Sequence, residues 1–164
     1  LDPHVFHAAK ERGESLMDAM RGHVALEIGT PDEVLTMPAD ILIPASLDNV
    51  ITPNEGVAEE LQAKVILELA NGPTSADADE ILKKRGIDVI PDVLANAGGV
   101  AVSYLEWEQN QTGTNKSREE VNMELKTIMA KAWSEVSTFA KQHNETYRDA
   151  AYALAIKKSL DARA

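Results

Sequence analysis

Three residue types within one short stretch set the chemistry open to this chain: Asn96, the pair Gly98-Gly99, and Ser103. Adjacent glycines let a backbone approach a flat ligand closely, because no Cβ stands in the way. Asn96 and Ser103 lie seven residues apart, so a helix starting near Ala97 turns both towards one cleft. Upstream, Ile87-Asp88-Val89-Ile90 reads as the end of a short buried strand that Pro91 stops. A turn at the carboxyl end of a parallel strand is where open α/β sheets bind ligands. The chemistry is binding and orientation, not bond-making.

Two further groups sit at the ends of earlier strands. Asn71-Gly72-Pro73-Thr74 follows Val65–Leu69, and Pro44-Ala45-Ser46 ends the run Ile41-Leu42-Ile43. On residue types alone, the first is an ordinary tight turn and the second a simple strand exit. Asn96 can equally cap the helix after it. Ser103 can bond back to its own helix or serve as a small packing residue.

Other candidates carry less. His4 and His7 have a helical spacing that can chelate, but no third histidine or carboxylate set joins them, so no metal site is expected. His23 and His143 are isolated, and Glu59-Glu60 and Glu106/Glu108 read as surface charge. Met129 and Trp133 belong to a core or an interface. Nine glycines include no Gly-x-Gly, so the pyrophosphate loop of a dinucleotide fold is not in this sequence. There is no nucleophile elbow.

The elements that must position these groups alternate. Strands are expected at Ile41–Pro44, Val65–Leu69 and Ile87–Ile90, with helices between them, which requires parallel pairing through crossovers. The unbroken apolar run at Ile41 suits a strand covered on both faces. Glu68 interrupts the second strand, and its burial and its exposure both stay open. Val24–Ile28 is short and β-like. A first helix opens at Asp2-Pro3 and ends at Gly13. Thr30-Pro31-Asp32-Glu33 and Thr52-Pro53-Asn54-Glu55 read as capping boxes opening brief helices. Ala76–Arg85 is a helix with three cations in its last turn and Gly86 behind it.

Past residue 96 only helices follow: 97–111, then a long one opened by the capping box Ser117/Glu120 and running to about His143. Its inward stripe is Val121, Leu125, Ile128, Met129, Ala132, Val136, Phe139 and Ala140. A last helix, capped between Thr146 and Asp149, turns Ala150, Ala151, Leu154 and Ala155 inward. The fold class is therefore α/β, half of a doubly wound parallel sheet followed by a helical C-terminal segment. Residues 1–164 form one such piece, with strand–helix alternation over 1–96 and a helical tail over 97–164.

Composition sets outer bounds. The formal charge of −11 comes with no clustered Lys or Arg, which argues against nucleic-acid and anionic-membrane partners. The chain has no cysteine, which excludes disulfides and fits a cytoplasmic protein. No apolar run is long enough to span a bilayer and no leader pattern opens the chain, while Leu1 in place of Met points to trimming.

Three segments, Ala39–Thr52 (ADILIPASLDNVIT), Ala70–Leu82 (ANGPTSADADEIL) and Asn96–Asn110 (NAGGVAVSYLEWEQN), resemble the glutamate dehydrogenases, NAD(P)-dependent amino-acid dehydrogenases, in that family's order. The resemblance implies a Rossmann-like domain of which this is the second half. The glycine-rich loop, the ribose-binding acid and the catalytic lysine and aspartate would lie outside it. It implies that Ala45, Ser46, Asn71 and Asn96 bind NAD or NADP, with Ser46 replacing the family's usual second alanine. It implies that Val100 and Ser103 meet L-glutamate or 2-oxoglutarate, with ammonia as the other product, and that the enzyme is a homo-oligomer. No catalytic residue falls in this chain, and alone it is expected to be inactive. The alternatives are a leucine- or phenylalanine-type dehydrogenase, which would not be expected to keep a polar Ser103, and a non-catalytic α/β binding module.

Overall fold

Three short parallel strands, β1 (Ile41–Leu42), β2 (Val65–Leu67) and β3 (Asp88–Ile90), lie side by side in chain order in the computed structural model. Ile41 pairs with Val65, and Ile66 with Val89. The structure describes residues 3–15, 18 and 29–163, and the expected strand Val24–Ile28 lies outside them, as does His23. The chain divides into two compact units, Leu1–Val34 and Leu35–Ala164.

In the first unit, helix α1 (Pro3–Glu11) is followed by Gly13 at φ 71°, and His7 faces Glu11. Thr30 and Glu33 form the expected box, each backbone N–H donating to the other side chain at 2.6 and 3.2 Å, and open α2 (Pro31–Leu35).

In the second unit, a 3₁₀ turn (Asn54–Gly56) and α3 (Val57–Glu60) connect β1 to β2, and α4 (Ala76–Arg85) connects β2 to β3. At the box expected from Thr52 to Glu55, the 3₁₀ turn has Pro53 in the cap position, without a side-chain bond from it. Pro53 has helical dihedrals, φ −72°, ψ −15°, as suits a proline at a first helical position. The Thr52 hydroxyl donates to the Asn54 carbonyl at 3.5 Å. α4 ends as expected, with Gly86 left-handed and its N–H donating to the Leu82 and Lys83 carbonyls. Arg85 has a second role. Its guanidinium reaches across to the carbonyls of Ala58 and Leu61, the unpaired end of α3.

Ile51, Leu61, Ile66, Ala78 and Leu82 are all fully buried between the sheet and these connections. Each of the large ones contributes roughly 1.5–3 kcal/mol by burial. A second cluster joins Leu94 to Val136, Ala140, Ala150 and Ala151. It packs the short helix α5 (Asp92–Ala95) against α7 (Arg118–His143) and α8 (Tyr147–Asp161). α6 (Gly98–Thr112) runs between α5 and α7.

The Ser117/Glu120 and Thr146/Asp149 caps form as expected. Lys116 ties the α6 end to α7 through Glu108 and Glu124. Trp133 packs against Tyr147, with ring centres 5.1 Å apart and planes tilted by 55°. Ile128 and Ala155, expected inward, are exposed. The buried cluster meets α7 only at its second half and α8 only at its start, so the stripes run on past the cover.

β1 also departs from expectation. Ile41 and Ile43, on one face, are 58% and 48% exposed while Leu42 packs on the core, and among the described residues β1 is paired on one side only. An unpaired strand edge with apolar flanks drives association. At micromolar concentration the 164-residue chain is expected to scatter light as a species heavier than 17.8 kDa. A clean monomer mass would overturn this.

Candidate functional site: the carboxyl end of the sheet

The strand ends are held at one level by backbone bonds. The carbonyl of buried Pro44, just past β1, accepts the N–H groups of Leu69 and Ala70 at 3.1 and 2.9 Å. Ala45-Ser46 and Asn71-Gly72 therefore leave the sheet beside each other, all four outside the core. Gly72 has φ +55°, a conformation that glycine adopts without strain. Its carbonyl accepts the Asn49 N–H at 2.9 Å. An open hollow of about 800 Å³ lies here, with Ser46, Asn71, Gly72 and Thr74 in its wall. Among the described residues the buried Thr74 hydroxyl has no hydrogen-bond partner.

Past β3, Pro91 starts the one-turn helix α5, which the sequence did not suggest, and Asn96 ends it. Asn96 does not cap α6; Ala97 holds that position without a side-chain bond. The Asn96 amide instead donates to the Asn71 side-chain oxygen at 2.8 Å and to the Leu69 carbonyl at 3.4 Å. Two asparagines 25 residues apart thus meet at the ends of neighbouring strands.

Gly98 and Gly99 form the first turn of α6 rather than a left-handed loop. A Cβ on Gly99 would meet nothing within 4 Å, so packing inside the chain does not require glycine there. Further along, Val100 is 76% exposed. Ser103 is exposed, and its hydroxyl donates to the Gly99 carbonyl at 3.1 Å, the back-bonded arrangement. Ser46 and Asn71 share the hollow and Asn96 joins them through its amide; Val100 and Ser103 stand apart from its wall.

Beneath these loops lies an ionic cluster. Glu68, at the end of β2, is fully buried, and one carboxylate oxygen accepts Arg148 Nη2 at 2.8 Å. The other accepts the Asp92 N–H at 2.8 Å. Arg148 Nε bonds Asp79, and Nη1 reaches Asp92 at 3.4 Å. Burial alone lowers the pKa of Arg148, but the bonds to Glu68 and Asp79 outweigh it and hold the guanidinium above its ordinary value.

The sequence model of the glutamate/leucine/phenylalanine/valine dehydrogenases matches residues 1–164. The chain belongs to that family. It is 48% identical over 132 residues to glutamate dehydrogenase A2 of Halobacterium salinarum, covering 80% of this chain and 31% of that protein. It is 42% identical over 157 residues to the NAD-specific glutamate dehydrogenase of Clostridioides difficile, covering 92% and 37%. The crystal structure of the hetero-hexameric glutamate dehydrogenase of Thermus thermophilus in its Leu-bound form superposes with a TM-score of 0.75 at 29% identity. That match covers 87% of this chain and 34% of the other. The chain thus spans about a third of the length of the curated relatives it matches.

Within this family member the mixed α/β fold is as the strand–helix alternation requires, a parallel sheet followed by helices. Sequence reasoning missed Asp79, Asp92 and Arg148. The available signal was Glu68, a charge inside an apolar strand, which needs a buried cation. Nothing local pointed to Arg148, 80 residues on.

Proposed function

We propose that this chain is part of an NAD(P)-dependent glutamate dehydrogenase and forms the nicotinamide side of its cofactor site and part of its substrate pocket. Residues 1–164 then act as one fragment of the cofactor-binding domain, with 97–164 as its helical tail. The observation that carries this reading is the Asn71–Asn96 bond beside an open hollow, within a chain whose relatives are glutamate dehydrogenases. The residues fit a dinucleotide: exposed small residues at Ala45-Ser46, two amides, and room at Gly99 for a flat ring. The name of the C. difficile relative makes NAD the first cofactor to test, with NADP as the other.

Bound nicotinamide supplies the hydride acceptor for the oxidation of L-glutamate to 2-oxoglutarate and ammonia. The chain's own residues bind and orient: Ala45 and Ser46 present backbone to the cofactor, Asn71 and Asn96 hold its ribose, and Val100 and Ser103 meet the substrate. General acid and base groups come from elsewhere in the enzyme. The reading places the enzyme in the cytoplasm as a homo-oligomer, away from nucleic acid and membrane. No helix of the described residues is long and apolar enough to cross a bilayer.

Two substitutions in the full-length enzyme test this. The Ser103 hydroxyl must leave the Gly99 carbonyl to donate to the substrate's distal carboxylate, and a bond to a charged group contributes about 1.5–3 kcal/mol. Ser103→Ala is expected to lower kcat/KM for glutamate by about ten- to a hundredfold with cofactor Kd unchanged. Asn71→Ala should act in the opposite way, raising cofactor Kd. If Ser103 serves only its helix, Ser103→Ala will be kinetically silent, since alanine is the better helix former.

A further inference from the structure

Asp92 is the point from which both asparagines hang. Its Oδ2 accepts the N–H of Gly72, next to Asn71, at 2.8 Å. Its backbone carbonyl accepts the N–H of Asn96 at 3.0 Å. Asp92 itself is held from below, by its N–H on Glu68 and by Arg148 Nη1 on its Oδ1, which also accepts the Val93 N–H at 2.7 Å. Glu68 is fully buried between Arg148 and the Asp92 backbone.

We propose that Arg148, from the C-terminal helix, is a positioning residue for the cofactor loop, setting Asn71 and Asn96 through Asp92. It touches neither asparagine. The inference rests on the reading of those two residues as cofactor ligands. One guanidinium faces three carboxylates, Glu68, Asp79 and Asp92. Its planar fork serves all three at once through Nε, Nη1 and Nη2, which a lysine's single ammonium cannot do in the same geometry. With the fork gone, the like charges of Asp79 and Asp92 lose what holds them together, and Asp92 swings from Gly72. Helix α8 and the cofactor loop thus form one mechanical unit.

The test uses the full-length enzyme, with NADH binding followed by fluorescence and each variant's fold checked by circular dichroism. Arg148→Lys is expected to raise the NADH Kd about tenfold, or about 1.4 kcal/mol, and to change the KM for glutamate by less than about a third of that on the same scale. Asp92→Ala cuts the Gly72 clamp directly and leaves the Glu68–Arg148 pair in place. It should show the same cofactor-selective loss, and it decides the matter if Arg148→Lys does not fold. Asn71→Ala is the comparator. Weak NADH binding by Asn71→Ala together with normal binding by Asp92→Ala overturns the positioning role alone. Normal NADH binding by Asn71→Ala removes the cofactor reading beneath it. Equal losses for NADH and glutamate in the Arg148 and Asp92 variants would mean general distortion, and would also overturn the proposal.

Discussion

A polypeptide of these 164 residues, freed of host enzymes, is expected to show no glutamate-dependent reduction of NAD or NADP. The effect is all or none because two separate requirements are unmet. A dinucleotide is anchored chiefly where its pyrophosphate meets a Gly-x-Gly-x-x-Gly turn at a helix N-terminus, and the nine glycines here include no Gly-x-Gly. Oxidative deamination also needs positioned acid and base groups to activate amine and water. Glu68, Asp79 and Asp92, the carboxylates beneath the cofactor loop, are committed to Arg148 and to backbone N–H groups. The wall of the hollow holds one further carboxylate, Asp48, which accepts the Asn49 amide at 3.3 Å, among leucines, amides, small residues and hydroxyls. The measurement is absorbance at the reduced-nicotinamide band with millimolar glutamate. Turnover that tracks the chain through purification would overturn the division of labour proposed above.

Arg148→Met in the full-length enzyme should be severely destabilising, by about 3–5 kcal/mol, because it strands a fully buried carboxylate. Glu68 then keeps only the Asp92 N–H, and Asp79 and Asp92 lose their shared cation. Net repulsion replaces attraction where β2, α4, α5 and α8 converge. Coupling makes the prediction sharper. Glu68→Met combined with Arg148→Met removes the worst of the stranded charge, so the double variant should be more stable than Arg148→Met alone. Denaturant midpoints for the pair and both singles give the coupling directly. Additive losses, or a cost for Arg148→Met below about 1 kcal/mol, would show that the cluster is no more than a surface ion pair in its energetics.

What the sequence determined was whatever depends on residues a few positions apart. The boxes at Thr30/Glu33 and Ser117/Glu120 each satisfy two N–H groups within four residues, so their helices start where the letters say. Gly86 ends α4 for an equally local reason, a left-handed conformation suited to glycine. Strand–helix alternation fixed the parallel sheet, and three ordered segments pointed to the family.

Only the tertiary structure decided the rest, because it depends on which side chains meet across the fold. Asn96 turned from its own helix to Asn71, and Arg85 turned from its own helix to the carbonyl end of α3. The burial of Glu68 was undecidable from its strand, since a carboxylate is tolerated there only if a cation arrives from elsewhere. That cation is Arg148, delivered 80 residues later when α8 packs its alanines against Leu94. Apolar packing brings the helix in, and its arrival places the charge beneath the cofactor loop.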